Sequence, residues 1–222
     1  MSIKKNLNQI KATLPPNVQL VAVSKTKPVE LLMEAYEAGQ RIFGENKVQE
    51  MTEKWEQMPK DIEWHMIGHV QRNKVKYMAP YVSLIHGVDS LKLLKEINKK
   101  AASHNRIIKC LLQIHIAEEE TKFGLDQKEL FELLESAEVS EMHHICISGL
   151  MGMATFTKDQ HQIKKEFNEL KNLFDLIKQK YSNHKQYKPE ILSMGMSGDY
   201  QIAIACGSSM VRIGSSIFGA RN

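Results

Sequence analysis

One lysine, one arginine and two loops of serine and glycine are the residues of this chain best suited to do chemistry. Lys25 follows Val18, Leu20, Val21, Ala22 and Val23, a short apolar run that predicts a strand over 18–23 buried on both faces. A lysine at the C-terminal mouth of such a strand can lay its aliphatic stem on apolar neighbours and turn its amine toward a cavity. Partial desolvation disfavours the charged form of an amine and so favours its attack on a carbonyl carbon. Lys25 is therefore a Schiff-base candidate, although a lysine that follows a strand and simply faces water satisfies the same pattern.

Arg212 interrupts Met210-Val211-Arg212-Ile213, a stretch otherwise suited to burial, and a buried guanidinium needs a partner. A barrel carboxylate such as Asp89 or Glu45 would satisfy it. So would an aromatic nitrogen, which a permanently protonated neighbour keeps unprotonated and able to accept a hydrogen bond. Two loops suit an anion, Gly195 to Asp199 and Gly214 to Ser216. Glycine lets backbone approach closely, serine supplies a hydroxyl, and a helix opening at each loop points unpaired N–H groups outward. Neither loop carries a dinucleotide fingerprint or a lysine-bearing phosphate loop, so turn glycines and cap serines explain them equally at this point.

Other candidates read more simply. The nine histidines include His143-His144 and His65 with His69, but none has acidic residues at metal-ligand spacing. His65 or His115 is expected to hydrogen-bond at a strand end. Met151, Met153, Met194 and Met196 read as flexible apolar packing around a pocket, and Glu118-Glu119-Glu120 as a solvated loop.

The elements that must position these residues alternate along the chain. Ile3, Leu7, Ile10 and Leu14 predict a first helix, stopped by Pro15-Pro16. After the strand over 18–23 comes a helix over 29–38, a short strand over 41–43, and a helix carrying Val48, Met51, Trp55 and Met58. Strands are then expected over 62–67, 82–86, 107–115, 144–150, 190–192 and 209–213. Between them lie a polar helix including Asn73, Lys74 and Val75, one capped at Asp89-Ser90, one with Leu130, Leu133 and Leu134, a striped helix from Ile163 to Tyr181, and one over 202–205. Eight strands alternating with helices fit a closed parallel (β/α)8 barrel better than an open doubly wound sheet, which periodicity alone leaves possible. The first helix would pack beside or under the barrel. On this reading Lys25, Asn46, Met66, His86, His115, Met151, Ser197, Arg212 and Gly214 share one face.

Composition narrows the class. The 222 residues hold 42% hydrophobic and 25% charged residues, with no composition break to mark a second domain, so one domain over 1–222 is expected. Thirty lysines and arginines against 26 acidic residues give +4, but the positive charges are dispersed and require neither nucleic acid nor a membrane surface. Cys110, Cys146 and Cys206 lie far apart, as expected of reduced, mostly buried thiols in the cytoplasm. No membrane-span-length apolar stretch and no signal peptide are evident.

Ordered blocks along the whole chain resemble the YggS/PROSC family of pyridoxal phosphate homeostasis proteins. They include Ala22-Val23-Ser24-Lys25-Thr26-Lys27-Pro28, Gly44-Glu45-Asn46-Lys47-Val48-Gln49-Glu50 and His65 through Lys74. Further on stand Val88-Asp89-Ser90, Glu119 through Gly124, Gly149-Leu150-Met151, Leu192 through Ser197, Val211-Arg212-Ile213-Gly214 and Ile217-Phe218-Gly219. The resemblance implies a barrel like the N-terminal domain of alanine racemase, with pyridoxal 5'-phosphate held as a Schiff base on Lys25. It also implies a phosphate held by Ser197 and by the backbone at Gly214 and Ser215, with Arg212 facing the pyridine nitrogen, Asn46 beside the ring and Met194 shaping the pocket. Three positions depart from the family pattern. His115 stands where asparagine is common, Gly87 where serine is usual, and Val70 where leucine is more familiar.

Cofactor binding need not imply catalysis. Racemisation needs acid and base groups on opposite faces of the substrate carbon. In racemase-like relatives a second domain supplies the opposing group, and with one domain expected over 1–222 no such group is expected here. An arginine at the ring nitrogen also weakens carbanion stabilisation. The resemblance therefore implies a monomeric cytoplasmic carrier that buffers and delivers the cofactor to apo-enzymes, not an enzyme. The alternatives are a pyridoxal-phosphate-dependent racemase or lyase of fold type III, and a phosphate-ligand barrel using Lys25 only as a charge.

Overall fold

The computed structural model describes residues 2–119, 123–181 and 183–219. Eight parallel strands run in sequence order around a closed barrel, so the open-sheet alternative is excluded. Helix α1 (Ile3–Thr13) precedes β1 (Gln19–Val23), and then come α2 (Val29–Glu37), β2 (Ile42–Glu45), α3 (Val48–Gln57) and β3 (Glu63–Met66). A single 3-10 turn (Arg72–Lys74) leads into α4 (Val75–Met78), β4 (Leu84–Val88), α5 (Leu91–Ala102) and β5 (Ile108–Gln113). The remainder is α6 (Gln127–Leu134), α7 (Ala137–Ser140), β6 (Ile145–Met151), α8 (Gln160–Lys180), β7 (Tyr187–Met196), α9 (Tyr200–Ala205), β8 (Met210–Ile213) and α10 (Ser215–Phe218).

Closure brings the ends of the chain together. In the β1–β8 ladder Val21 lies opposite Arg212 and Ala22 opposite Ile213. This register carries Lys25 and Gly214 beyond the same end of the barrel. Helix α1 packs against α10 and α2, and the Asn6 side chain donates to the Ile217 carbonyl at 3.0 Å, beside the barrel as its periodicity led us to expect.

Strand alternation sorts side chains between two cores. Leu20, Ala22, Phe43, Trp64, Ile85, Leu112, Leu192 and Met194 belong to the layer between strands and helices. The stripe Ile163, Phe167, Leu170, Phe174 and Ile177 of α8 is buried on the same layer. Val21, Leu84, Leu111, Met151 and Met210 form a smaller second cluster, with Ile42, Ile67, Met153 and Ile191 packed against it. Each fully buried aliphatic side chain is worth about 1.5–3 kcal/mol, which makes these two layers the main source of stability.

Local signals set the element ends. Ser90 caps α5 by accepting from the Leu93 N–H, while its neighbour Asp89 pairs with His69 instead. Asp126 and Glu129 form a reciprocal capping box at the start of α6. Two expectations change. The seventh strand extends over ten residues, Tyr187–Met196, because pairing with β6 carries it through the polar stretch Lys188-Pro189-Glu190. The polar helix after β3 is only a 3-10 turn and one α-turn.

Candidate functional site

Lys25 is half-buried at the mouth of β1 and lines a cavity of about 670 Å³ with Lys27, Asn46, Gln113, Met196, Ser197, Arg212, Gly214 and Ser215. Six of the seven expected site residues are thus brought together by six strands' worth of intervening chain. Met194 is the exception. It is fully buried in the layer between strands and helices, whereas Met196 lines the cavity, because the register of β7 shifts between Ser193 and Met196 and Gly195 sits at φ +100°, which breaks the strand's alternation between the two methionines. Met66, His86, His115 and Met151 are likewise not among the lining residues.

The two expected anion loops touch each other. The Gly214 N–H donates to the Ser197 hydroxyl at 3.3 Å, joining the mouth of β8 to the loop after β7. That loop is shaped by Asp199, whose carboxylate accepts from the Met196 N–H at 2.6 Å. A side chain at Gly214 would place its Cβ 2.9 Å from the Val23 carbonyl oxygen, so only glycine lets β8 lie this close to the strand that carries Lys25. The opposite wall is as tight. A Cβ on Gly68 would stand 2.4 Å from the Asn46 carbonyl oxygen, and one on Gly87 would stand 2.7 Å from the Gly68 carbonyl oxygen. The departure at Gly87 therefore suits a backbone approach that a serine would have to push apart.

Arg212 is 4% exposed, and its hydrogen bonds stay within the barrel. One terminal nitrogen donates to the Ser193 carbonyl at 2.9 Å and to the Ser193 hydroxyl at 2.6 Å, and the other donates to the Gly152 carbonyl at 3.1 Å. The carboxylates considered from sequence are engaged elsewhere, Glu45 with Lys54 and Asp89 with His69. Burial pushes the Arg212 guanidinium down to about 10, against an opposing pull from Asp199, which leaves it charged at neutral pH.

From Ser193 a buried line continues inward. His86 Nδ1 lies 3.0 Å from the Ser193 hydroxyl, and His86 Nε2 lies 3.1 Å from His65 Nδ1. Because Arg212 can only donate, the Ser193 hydroxyl accepts from it, which leaves the serine's own proton available to His86 Nδ1. In that arrangement His86 donates from Nε2 to His65 Nδ1. Burial, with Lys109 adding to it, pushes His65 down to about 3. His86 is held well below the usual histidine range by burial, then by His65 and Arg212. Both rings are neutral at physiological pH. Sequence reading anticipated hydrogen bonding for His65 and His115, and His115 Nε2 does lie 2.9 Å from the Glu119 carbonyl. It did not anticipate the line through His86, whose only sequence signal is a polar residue within an otherwise apolar strand.

The neighbouring loops are more ordered than a solvated acidic run implies. Glu119 accepts from the Phe156 N–H at 3.0 Å, and Gln113 donates to the Phe123 carbonyl at 2.8 Å. Glu120, Thr121 and Lys122 lie outside the described residues. Among the described residues no cluster of His, Cys, Asp or Glu could hold a metal ion, and no helix is long and apolar enough to cross a membrane. All three cysteines are free thiols.

The profile of the alanine racemase N-terminal domain matches residues 1–222. Over 235 aligned residues the chain is 37% identical to the pyridoxal phosphate homeostasis protein of Pasteurella multocida, covering 100% of this chain and 99% of that one. The chain belongs to the pyridoxal phosphate homeostasis protein family. A second member of the family, from Vibrio alginolyticus, is 40% identical over 94% of this chain and 88% of its own. The family's barrel is also seen in PipY of Synechococcus elongatus, solved without PLP, which is similar at a TM-score of 0.91 and 34% identity over 98% of this chain and 100% of that one. The PLP-bound structure of PipY gives a TM-score of 0.88 over the same shares of the two chains. Alanine racemase of Clostridium difficile shares the fold, with a TM-score of 0.77 at 17% identity over 99% of this chain and 57% of that one.

Proposed function

We propose that this protein binds pyridoxal 5'-phosphate, holds it as a Schiff base on Lys25, and acts as a carrier that buffers and delivers the cofactor. The observation that carries the reading is the convergence of a half-buried lysine, a buried charged arginine and two touching serine-glycine loops on one cavity. The donor set suits the cofactor's two ends. Ser197, Ser215 and the backbone at Gly214 offer a hydroxyl-rich, amide-rich seat for a phosphate, while Lys25 offers an amine for an aldehyde. Bound pyridoxal phosphate supplies a reactive carbonyl and an electron-withdrawing ring.

The chain's own residues favour storage over turnover. Arg212 keeps its charge, so a ring nitrogen placed against it stays unprotonated and draws electrons less strongly. His65 and His86 are locked as neutral donors and acceptors inside the barrel and stand apart from the cavity lining. Recipients are proposed to be apo-enzymes that use the cofactor, and the protein is proposed to work as a monomeric single domain in the cytoplasm without nucleic acid or membrane.

The test pairs two assays on cofactor-loaded protein. Transfer to an apo-enzyme is followed beside turnover of a panel of D- and L-amino acids. Transfer without turnover is the expected result, and robust racemisation or elimination without transfer would replace the carrier with an enzyme of fold type III.

A further inference from the structure

The backbone around Lys25 is gripped from the helix side of the barrel wall. Beyond Val23 the chain leaves the sheet, and Thr26 sits at φ +63°, a left-handed conformation that a β-branched residue rarely adopts. Such a conformation persists only where its surroundings over-determine it.

Those surroundings are one cluster built on the buried Lys54 and Glu45, with Glu50 at its partly exposed edge. Lys54 of α3, 5% exposed, donates from Nζ to the Ser24 carbonyl at 2.9 Å, to Glu45 Oε1 at 2.7 Å and to Glu50 Oε1 at 2.7 Å. The Ser24 hydroxyl donates to Glu45 Oε1 at 2.6 Å, and the Thr26 N–H donates to Glu50 Oε1 at 2.6 Å. The Ser24 carbonyl and the Thr26 N–H belong to the two peptide bonds that flank Lys25. Both are therefore fastened to one ammonium and its carboxylates. Burying such charges is expensive, and apolar side chains would fill the same space at lower cost, so the cluster is unexplained by packing alone.

We propose that Lys54, with Glu45 and Glu50, is a positioning device that fixes the direction in which Lys25 leaves the first strand. This rests on Lys25 being the cofactor-bearing amine. Lys54 is no second attachment point, because its three N–H bonds are spent on three oxygen acceptors.

The experiment measures the rate at which pyridoxal 5'-phosphate becomes borohydride-fixed to Lys25, by peptide mass, in wild type, Glu50→Ala, Glu50→Gln and Lys54→Met. Hydrogen exchange of the Thr26 amide is followed in the same unliganded proteins. Glu50→Gln keeps an oxygen for the Thr26 N–H, whereas Glu50→Ala removes it. Fixation about tenfold slower in Glu50→Ala and Lys54→Met is expected, with faster Thr26 exchange and with Glu50→Gln close to wild type. Equal rates in all four proteins, or equal slowing by both Glu50 variants, would overturn the proposal. If Lys54→Met does not fold, the two Glu50 variants decide alone, since Glu50 is partly exposed. A wild type that fixes nothing on Lys25 sinks the functional reading instead, and unaltered Thr26 exchange in Glu50→Ala then rejects the clamp by itself.

Discussion

The Arg212 guanidinium donates to both oxygens of Ser193, the carbonyl at 2.9 Å and the hydroxyl at 2.6 Å. One serine thereby orients the charged group at the cavity floor and passes a hydrogen bond on to His86. Replacing Ser193 with alanine leaves His86 Nδ1 as a buried acceptor without its donor. A loss of about 1–3 kcal/mol in urea unfolding is expected, together with a shift of the His86 tautomer in nitrogen NMR. No change in either would remove the relay from the account.

The neutral histidines predict a pH dependence of definite sign. His65 falls to about 3 in the folded protein from an ordinary value near 6.5, so between these limits the unfolded chain binds more protons than the native one. Stability is complete above pH about 6.5 and is lost as pH falls toward 3, at up to about 1.4 kcal/mol per pH unit from this residue. His86 is shifted the same way and steepens the slope. His65→Gln keeps an acceptor for His86 but cannot titrate, and its unfolding free energy should vary less over this window.

At Gly68, an added methyl group would lie 2.4 Å from the Asn46 carbonyl oxygen and 2.8 Å from the Asn46 Cα. Backbone atoms cannot rotate aside. Gly68→Ala is expected to cost about 1–3 kcal/mol in thermal or denaturant unfolding and to displace Asn46 from the cavity. An unchanged melting temperature would contradict the packing described.

Ser197 joins the two anion loops through the Gly214 N–H. Ser197→Ala should weaken pyridoxal 5'-phosphate binding about tenfold by equilibrium dialysis while leaving the melting temperature of the unliganded protein nearly unchanged. Equal affinity would place the phosphate elsewhere.

Much of this architecture is legible in the sequence because it rests on periodicity. The buried strand at 19–23 and the stripe of α8 are written directly in apolar spacing. β7 is less legible, since Lys188, Pro189 and Glu190 break the pattern that its partner strand enforces. The short helix α7 after α6 has too few residues for a periodic signal. At the site, Lys25, Ser197 and Arg212 stand out by residue type and place, whereas Met194 and Met196, two apart, would share a face of a regular strand and are separated only by the register shift at Gly195. Lys54 was hidden because Glu50 and Lys54, four apart, read as an ordinary surface pair on a helix. Its position three residues after the buried Met51, on the apolar side of α3, is the signal that betrays it.

The most direct measurement adds pyridoxal 5'-phosphate to the purified protein, reduces with borohydride, and maps the mass increment by peptide sequencing, with Lys25→Ala in parallel. A single adduct on Lys25, absent from the variant, is predicted. An adduct confined to Lys27 or another lysine, or none in protein that binds the cofactor, would contradict the account.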